Sequence, residues 1–129
     1  MGHKFLENLK TYTPLNIDAS DERQSRWAKE REIYGFDETE TWSLDSTFYA
    51  WLYEHIKMYI KKGGEIVNLE YHKFEYKGIT YTQLELLEQI CKRVEYYYSD
   101  EYNDWDDSDV EYINEIGEMW ALVLPAMWW

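Results

Sequence analysis

Twice in its second half the chain spells out a well-defined helix start. Thr82-Gln83-Leu84-Glu85 and Ser108-Asp109-Val110-Glu111 each place a hydroxyl three residues before a carboxylate. In such a box each side chain can satisfy the other residue's free backbone amide. Apolar residues follow both boxes at intervals of three and four: Leu87, Ile90, Cys91, Val94, Tyr97 and Tyr98, then Val110, Ile113, Ile116, Trp120 and Val123. That periodicity is one face of a helix. A chain holding two such stripes must bury them against something, so the fold is mainly α.

Residues 1–20 show no sustained period and contain Pro14, which reads as an N-terminal arm. Asp21 is placed to cap a first helix through about Tyr34, with Gly35 to stop it. After the acidic loop FDETETWSLD, Ser43 or Asp45 opens a second helix to about Lys62. Its expected buried stripe is Phe48, Trp51, Leu52, Ile56 and Tyr59, and Gly63-Gly64 ends it. Residues 65–81 are rich in β-branched and aromatic side chains, with a short hairpin turning at Lys77-Gly78. Ser108 caps the fourth helix, Pro125 ends or kinks it, and Trp128-Trp129 are expected to fold back onto the body. The expected fold is therefore α+β but mainly α. About four helices pack with one short β-hairpin near 70–81, in a single domain spanning 21–129.

Composition narrows the function. Of 129 residues, 7 Trp, 13 Tyr and 4 Phe (24 in all) supply apolar surface beyond what a core of this size needs. The formal net charge of −13 argues against direct binding of nucleic acid, which depends on neutralising phosphates. Residues 1–93 hold 16 acidic and all 13 basic residues, a net of −3; residues 94–129 hold the other 10 acids and no Lys or Arg, a net of −10. One cysteine excludes an internal disulfide. No apolar run approaches the ~18 residues of a membrane span, and the MGHKFLENLK start lacks the pattern of a signal peptide. These features lead to the expectation of a soluble protein in a reducing compartment.

Catalytic and metal signatures are weak. His3, His55 and His72 are scattered without metal-ligand spacing. Cys91 lies on the apolar face of the third helix, where it reads as core. Glu38, Glu40 and Asp45 surround Trp42, but caps and surface charge explain them. No catalytic residue, metal ligand or cofactor is assigned. The feature left over is the run from Asp100 to Glu111, in which Asp100, Glu101, Asp104, Asp106, Asp107 and Asp109 surround Trp105. As an EF-hand loop it fails at Tyr102 and Trp105, where an oxygen ligand and a turn glycine belong. As a helix of about 18 Å it would approach, without reaching, the ~1.7 Å charge spacing of duplex DNA. A solvated linker ordered by Trp105 is the remaining reading.

The stretch Tyr34-Gly35-Phe36-Asp37-Glu38-Thr39-Glu40-Thr41-Trp42-Ser43-Leu44-Asp45, then Phe48 and Trp51-Leu52-Tyr53-Glu54, carries a resemblance. It continues in His72-Lys73-Phe74-Glu75-Tyr76-Lys77-Gly78 and Ala121 to Trp129. Together these segments resemble small acidic proteins of bacteriophages and prophages. That family has no established activity, so the resemblance implies a setting, the host bacterial cytoplasm during infection, and no site residues. Residues 1–33 lie outside it.

Taken together, these readings lead to the expectation of a non-enzymatic protein that binds a protein partner bearing a basic surface. The seven residues Asp100, Glu101, Asp104, Trp105, Asp106, Asp107 and Asp109 form the contact. The sharper form is an inhibitor of a host nucleic-acid-handling defence enzyme, acting like an anti-CRISPR protein or a DNA mimic. The alternative is a virion structural or assembly protein, a homo-oligomer joined through its aromatic ends.

Overall fold

A computed structural model describes residues 20–128. Residues 1–19 of the expected arm, with His3 and Pro14, and also Trp129, lie outside the described residues. In chain order the elements are α1 (Gln24–Tyr34), a 3-10 turn (Glu38–Thr41), α2 (Leu44–Gly63), β1 (Lys73–Tyr76), β2 (Ile79–Thr82), α3 (Gln83–Tyr97), α4 (Asp107–Val123) and a final 3-10 turn (Leu124–Ala126). The mainly α fold with one antiparallel hairpin is as expected. Contacts divide the chain into two compact units, with the boundary in the sequence falling within α2, after Leu52. No helix is long and apolar enough to cross a membrane.

In the first unit α1 is polar nearly all round and buries one residue, Trp27. The indole N–H of Trp27 donates to Glu38 at 2.8 Å, and its ring meets Trp42 edge-on at 5.6 Å. The Arg23 guanidinium lies over both rings, 4.8 and 5.5 Å from their centroids. Gly35 ends α1 with φ 83°, the left-handed conformation that favours glycine. The expected Asp21 cap is corrected. Arg23 holds the cap position, and the Asp21 carboxylate instead accepts from the Arg23 backbone and side chain.

The expected face of α2 is corrected in part: Leu52 and Ile56 are buried as expected, but Phe48, Trp51 and Tyr59 are not. Thr47, Ala50, Leu52, Tyr53 and Ile56 are buried, whereas Phe48 and Trp51 are 36% and 39% exposed and stack on each other. Tyr59 is only half-buried. The buried positions 47, 50, 53 and 56 step by three through a threonine and an alanine. A count weighted toward large apolar residues misses that face.

In the second unit the hairpin pairs Lys73 with Thr82 and Tyr76 with Ile79. Lys77 (φ 50°) and Gly78 (φ 80°) both take positive φ, the requirement of a tight turn whose twist matches the strands. Residues 65–72, which precede the hairpin, form turns and bends. They are pinned to the start of α3, where Leu84 N–H donates to Leu69 O and Gln83 N–H to His72 O. Those bonds use amides that a helix start leaves free.

The Thr82–Glu85 capping box forms in both directions. Helix α3 buries Leu86, Leu87, Ile90, Cys91 and Val94 and packs along α4, which buries Ile113, Ile116, Met119 and Val123. Tyr97 and Tyr98 are only half-buried. Two further expectations fail here. Met119, not Trp120, fills the buried face, and Trp120 is half-buried. The α4 cap is Asp106, not Ser108: the Asp106 carboxylate accepts from Ser108 N–H and Asp109 N–H and also takes the Ser108 hydroxyl. An acceptor-only carboxylate two residues upstream outcompetes the hydroxyl. Trp128 stays 74% exposed, so its ring does not fold back.

Candidate functional site

The acidic run is divided by the start of α4. Residues 100–106 are loop and Asp107 begins the helix, so the run is not the continuous helix that the charge-spacing comparison assumed. The loop is held by its own polar groups. Asn103 N–H donates to Asp109 at 3.0 Å, Trp105 N–H to the Asn103 side chain at 3.0 Å, and Asp106 N–H to Asn103 O at 3.0 Å. From α3 the Tyr96 hydroxyl donates to Asp109 at 2.9 Å. Two of the seven expected contact residues, Asp106 and Asp109, are therefore engaged inside the structure. Hydrogen bonds from Ser108 and Asp109 hold the Asp106 carboxyl below its ordinary range.

The other five face solvent. Asp100, Glu101, Asp104 and Asp107 are exposed and, among the described residues, form no ion pair. Trp105 is 91% exposed. Its ring does not order the loop as the linker reading supposed; the Asx-type bonds of Asn103 and Asp106 do that.

Behind the loop lies a braced layer. The Tyr96 ring meets Tyr112 edge-on at 5.5 Å and Tyr102 at 6.2 Å. The Arg93 guanidinium lies 4.3 Å from the Tyr112 centroid and pairs with Glu115 at 2.8 Å. Lys77, at the hairpin tip, reaches the same Glu115 at 2.8 Å. Burial pulls the Glu115 carboxyl up, but Lys77 and Arg93 together hold it below its ordinary range. Both cations are thus engaged by α4 itself, and Lys77 also contacts Glu111.

Other candidate chemistry lies apart from this surface. Cys91 is buried, and desolvation pushes its thiol up to about 12, the opposite direction from an activated thiolate. His55 and His72 are exposed. Among the described residues, no group of three or more His, Cys, Asp or Glu side chains is placed to hold a metal ion. Around Trp42, Glu38 is taken by Arg26 and Trp27, and Asp45 accepts from Ser43. Glu40 is 8% exposed, and its Oε2 has no hydrogen-bond partner. Burial, with Asp37 nearby, raises its carboxyl to about 7. The sequence showed Glu40 as one more acid in a loop; nothing in its spacing marked it as buried.

No family model matches the chain, and comparison with curated proteins and with solved structures finds no match either.

Proposed function

We propose that the chain is a non-enzymatic binding protein that docks a basic protein partner through the loop from Asp100 to Asp106 and the first residue of α4, Asp107. The observation that carries this reading is Trp105, 91% exposed at a loop whose backbone is tied on both sides of it. Tryptophan is among the side chains that dominate interface energetics, and a loop already ordered has less conformational freedom to lose on binding. The unpaired carboxylates around it favour a basic partner and speed its approach. The sharper form has the partner's basic cleft normally hold nucleic acid, so that this chain inhibits a host defence enzyme in the bacterial cytoplasm. That form rests on the net charge of −13 and on the phage resemblance.

The test is affinity capture from a bacterial host lysate with parent and Trp105→Ala baits. A basic protein retained by the parent, displaced by duplex DNA and bound about 30-fold more weakly by the variant supports the proposal. Equal retention by both baits overturns it. The assembly reading is favoured by a different observation, the exposed rings of Phe48, Trp51 and Trp128. It predicts a solution mass of several protomers and no dependence on Trp105.

A further inference from the structure

The first unit carries a second feature that its own packing leaves unused. Between the last turns of α1 and the 3-10 turn that follows it, Tyr34, Phe36, Glu30, Asp37, Glu38 and Thr41 line a hollow of about 250 Å³. Two aromatic rings wall it. Tyr34 is 67% exposed and Phe36 43%, with centroids 6.2 Å apart and planes tilted by 42°. Three electrostatic features here have the same sign. The end of α1 presents the negative pole of the helix dipole. Aromatic faces attract cations. Glu30 accepts only from the Glu38 backbone amide and has no ion-pair partner among the described residues.

Two of the three carboxylates that line the hollow, Asp37 and Glu38, are already paired with arginines of the chain, which leaves Glu30 as the one without a cation among the described residues. Arg31 pairs with Asp37, Arg26 with Glu38, and Arg23 lies over Trp27 and Trp42. Among the described residues, rings at Trp27, Trp42, Tyr53, Tyr76 and Tyr112 each carry one of the chain's own Lys or Arg side chains. Tyr34 and Phe36 carry none.

We infer that this hollow is a receptor slot for an arginine side chain of the basic partner. The guanidinium stacks on Tyr34 and Phe36 and donates to the Glu30 carboxylate. A planar, weakly hydrated cation with several donors suits two tilted rings beside one carboxylate better than an ammonium does. The inference rests on the reading of a basic partner, but the slot and the Trp105 loop can be tested separately.

The probe is N-acetyl-arginine N-methylamide, with the citrulline analogue as its uncharged counterpart, titrated into the full chain and followed by NMR. The expected result is a saturable shift of the Tyr34 and Phe36 ring resonances, with the arginine probe binding at least about fivefold more tightly than citrulline. Tyr34→Leu and Glu30→Gln should each weaken the arginine probe about threefold or more and leave citrulline unchanged. Both changes are conservative for folding, because the Tyr34 ring is mostly exposed and Gln still accepts from Glu38 N–H. Trp105→Ala should leave the titration as it is. Equal binding of arginine and citrulline overturns the slot, as does an absence of saturable shifts or a loss of binding in Trp105→Ala. If the slot binds arginine but parent and Trp105→Ala baits capture the same proteins, the loop reading fails alone.

Discussion

The Tyr96 hydroxyl donates to the Asp109 carboxylate at 2.9 Å, joining the last turn of α3 to the first turn of α4. The other oxygen of the same carboxylate accepts from Asn103 N–H, so one side chain gathers helix, helix and loop. The bond to Asp109 raises the Tyr96 phenol above its ordinary range, because ionisation would set two anions face to face. Tyr96→Phe removes this link and keeps the ring contacts with Tyr102 and Tyr112. The expected outcome is faster amide exchange at Asn103 and Trp105 with little change in melting temperature. Partner association should weaken even though Trp105 is intact, because the loop must then be ordered on binding. Unchanged exchange at both amides would show that Asn103 and Asp106 hold the loop unaided.

Trp27 and Trp120, one buried and one half-buried, should differ in cost. Trp27 is 1% exposed, and Trp27→Ala is expected to cost about 3–5 kcal/mol in a denaturant titration. Trp120 is only half-buried, and Trp120→Ala should cost about 1–2 kcal/mol, while Met119→Ala, which empties the buried face of α4, should cost about 2–4 kcal/mol. A Trp120 loss exceeding that of Met119 would reverse the assignment of the α4 core.

Those two helices show what could be read from the residues alone. The Thr82–Glu85 box, the Lys77-Gly78 turn and the stop at Gly35 were legible because each depends on local backbone chemistry that a few side chains determine. The buried face of α2 was legible only at Leu52 and Ile56. It runs through Thr47 and Ala50, and whether a small residue is inside depends on what lies opposite. The α4 cap was misplaced by two residues because Asp106 and Ser108 are both good caps, and only the path of the loop selects between them. Of the candidate contact residues, their acidity was visible in the sequence. The division between exposed Asp100, Glu101, Asp104 and Asp107 and engaged Asp106 and Asp109 required the fold. The sequence does not mark Tyr34 and Phe36 as a pair of facing rings, since aromatic residues in an aromatic-rich chain carry little information singly.

Glu40 should give the first unit an unusual pH response. Its carboxyl is raised from about 4.5 to about 7 by burial and by Asp37. Between those values the folded state holds a proton that the unfolded state has released, so stability falls as pH rises through this window. The lowered carboxyls Asp21, Glu38, Asp106 and Glu115 act in the opposite sense and below it, losing their contribution as pH falls through their depressed values. Glu40→Gln should therefore flatten the decline between about pH 5 and about pH 8 and stabilise the chain most at the upper end. Parallel curves for parent and variant across that range would assign the decline to another group.

The acidic run should separate into two functional halves under substitution. Asp100, Glu101, Asp104 and Asp107 have no ion-pair partner, and replacing them with Asn or Gln removes mutual repulsion among exposed charges. Melting temperature should hold or rise slightly, while association with the captured partner slows and its salt dependence flattens. Asp106→Ala has the opposite profile. It removes the acceptor for two free amides of α4 and should lower the melting temperature by about 3–6 °C. Asp106→Asn should restore most of that loss, because asparagine caps nearly as well without the charge. A structural role predicts this rescue, whereas a purely electrostatic one predicts that Asn and Ala behave alike. If the fourfold-neutralised variant associates as fast as the parent at low salt, the exposed carboxylates have no steering role and the loop's contribution rests on Trp105.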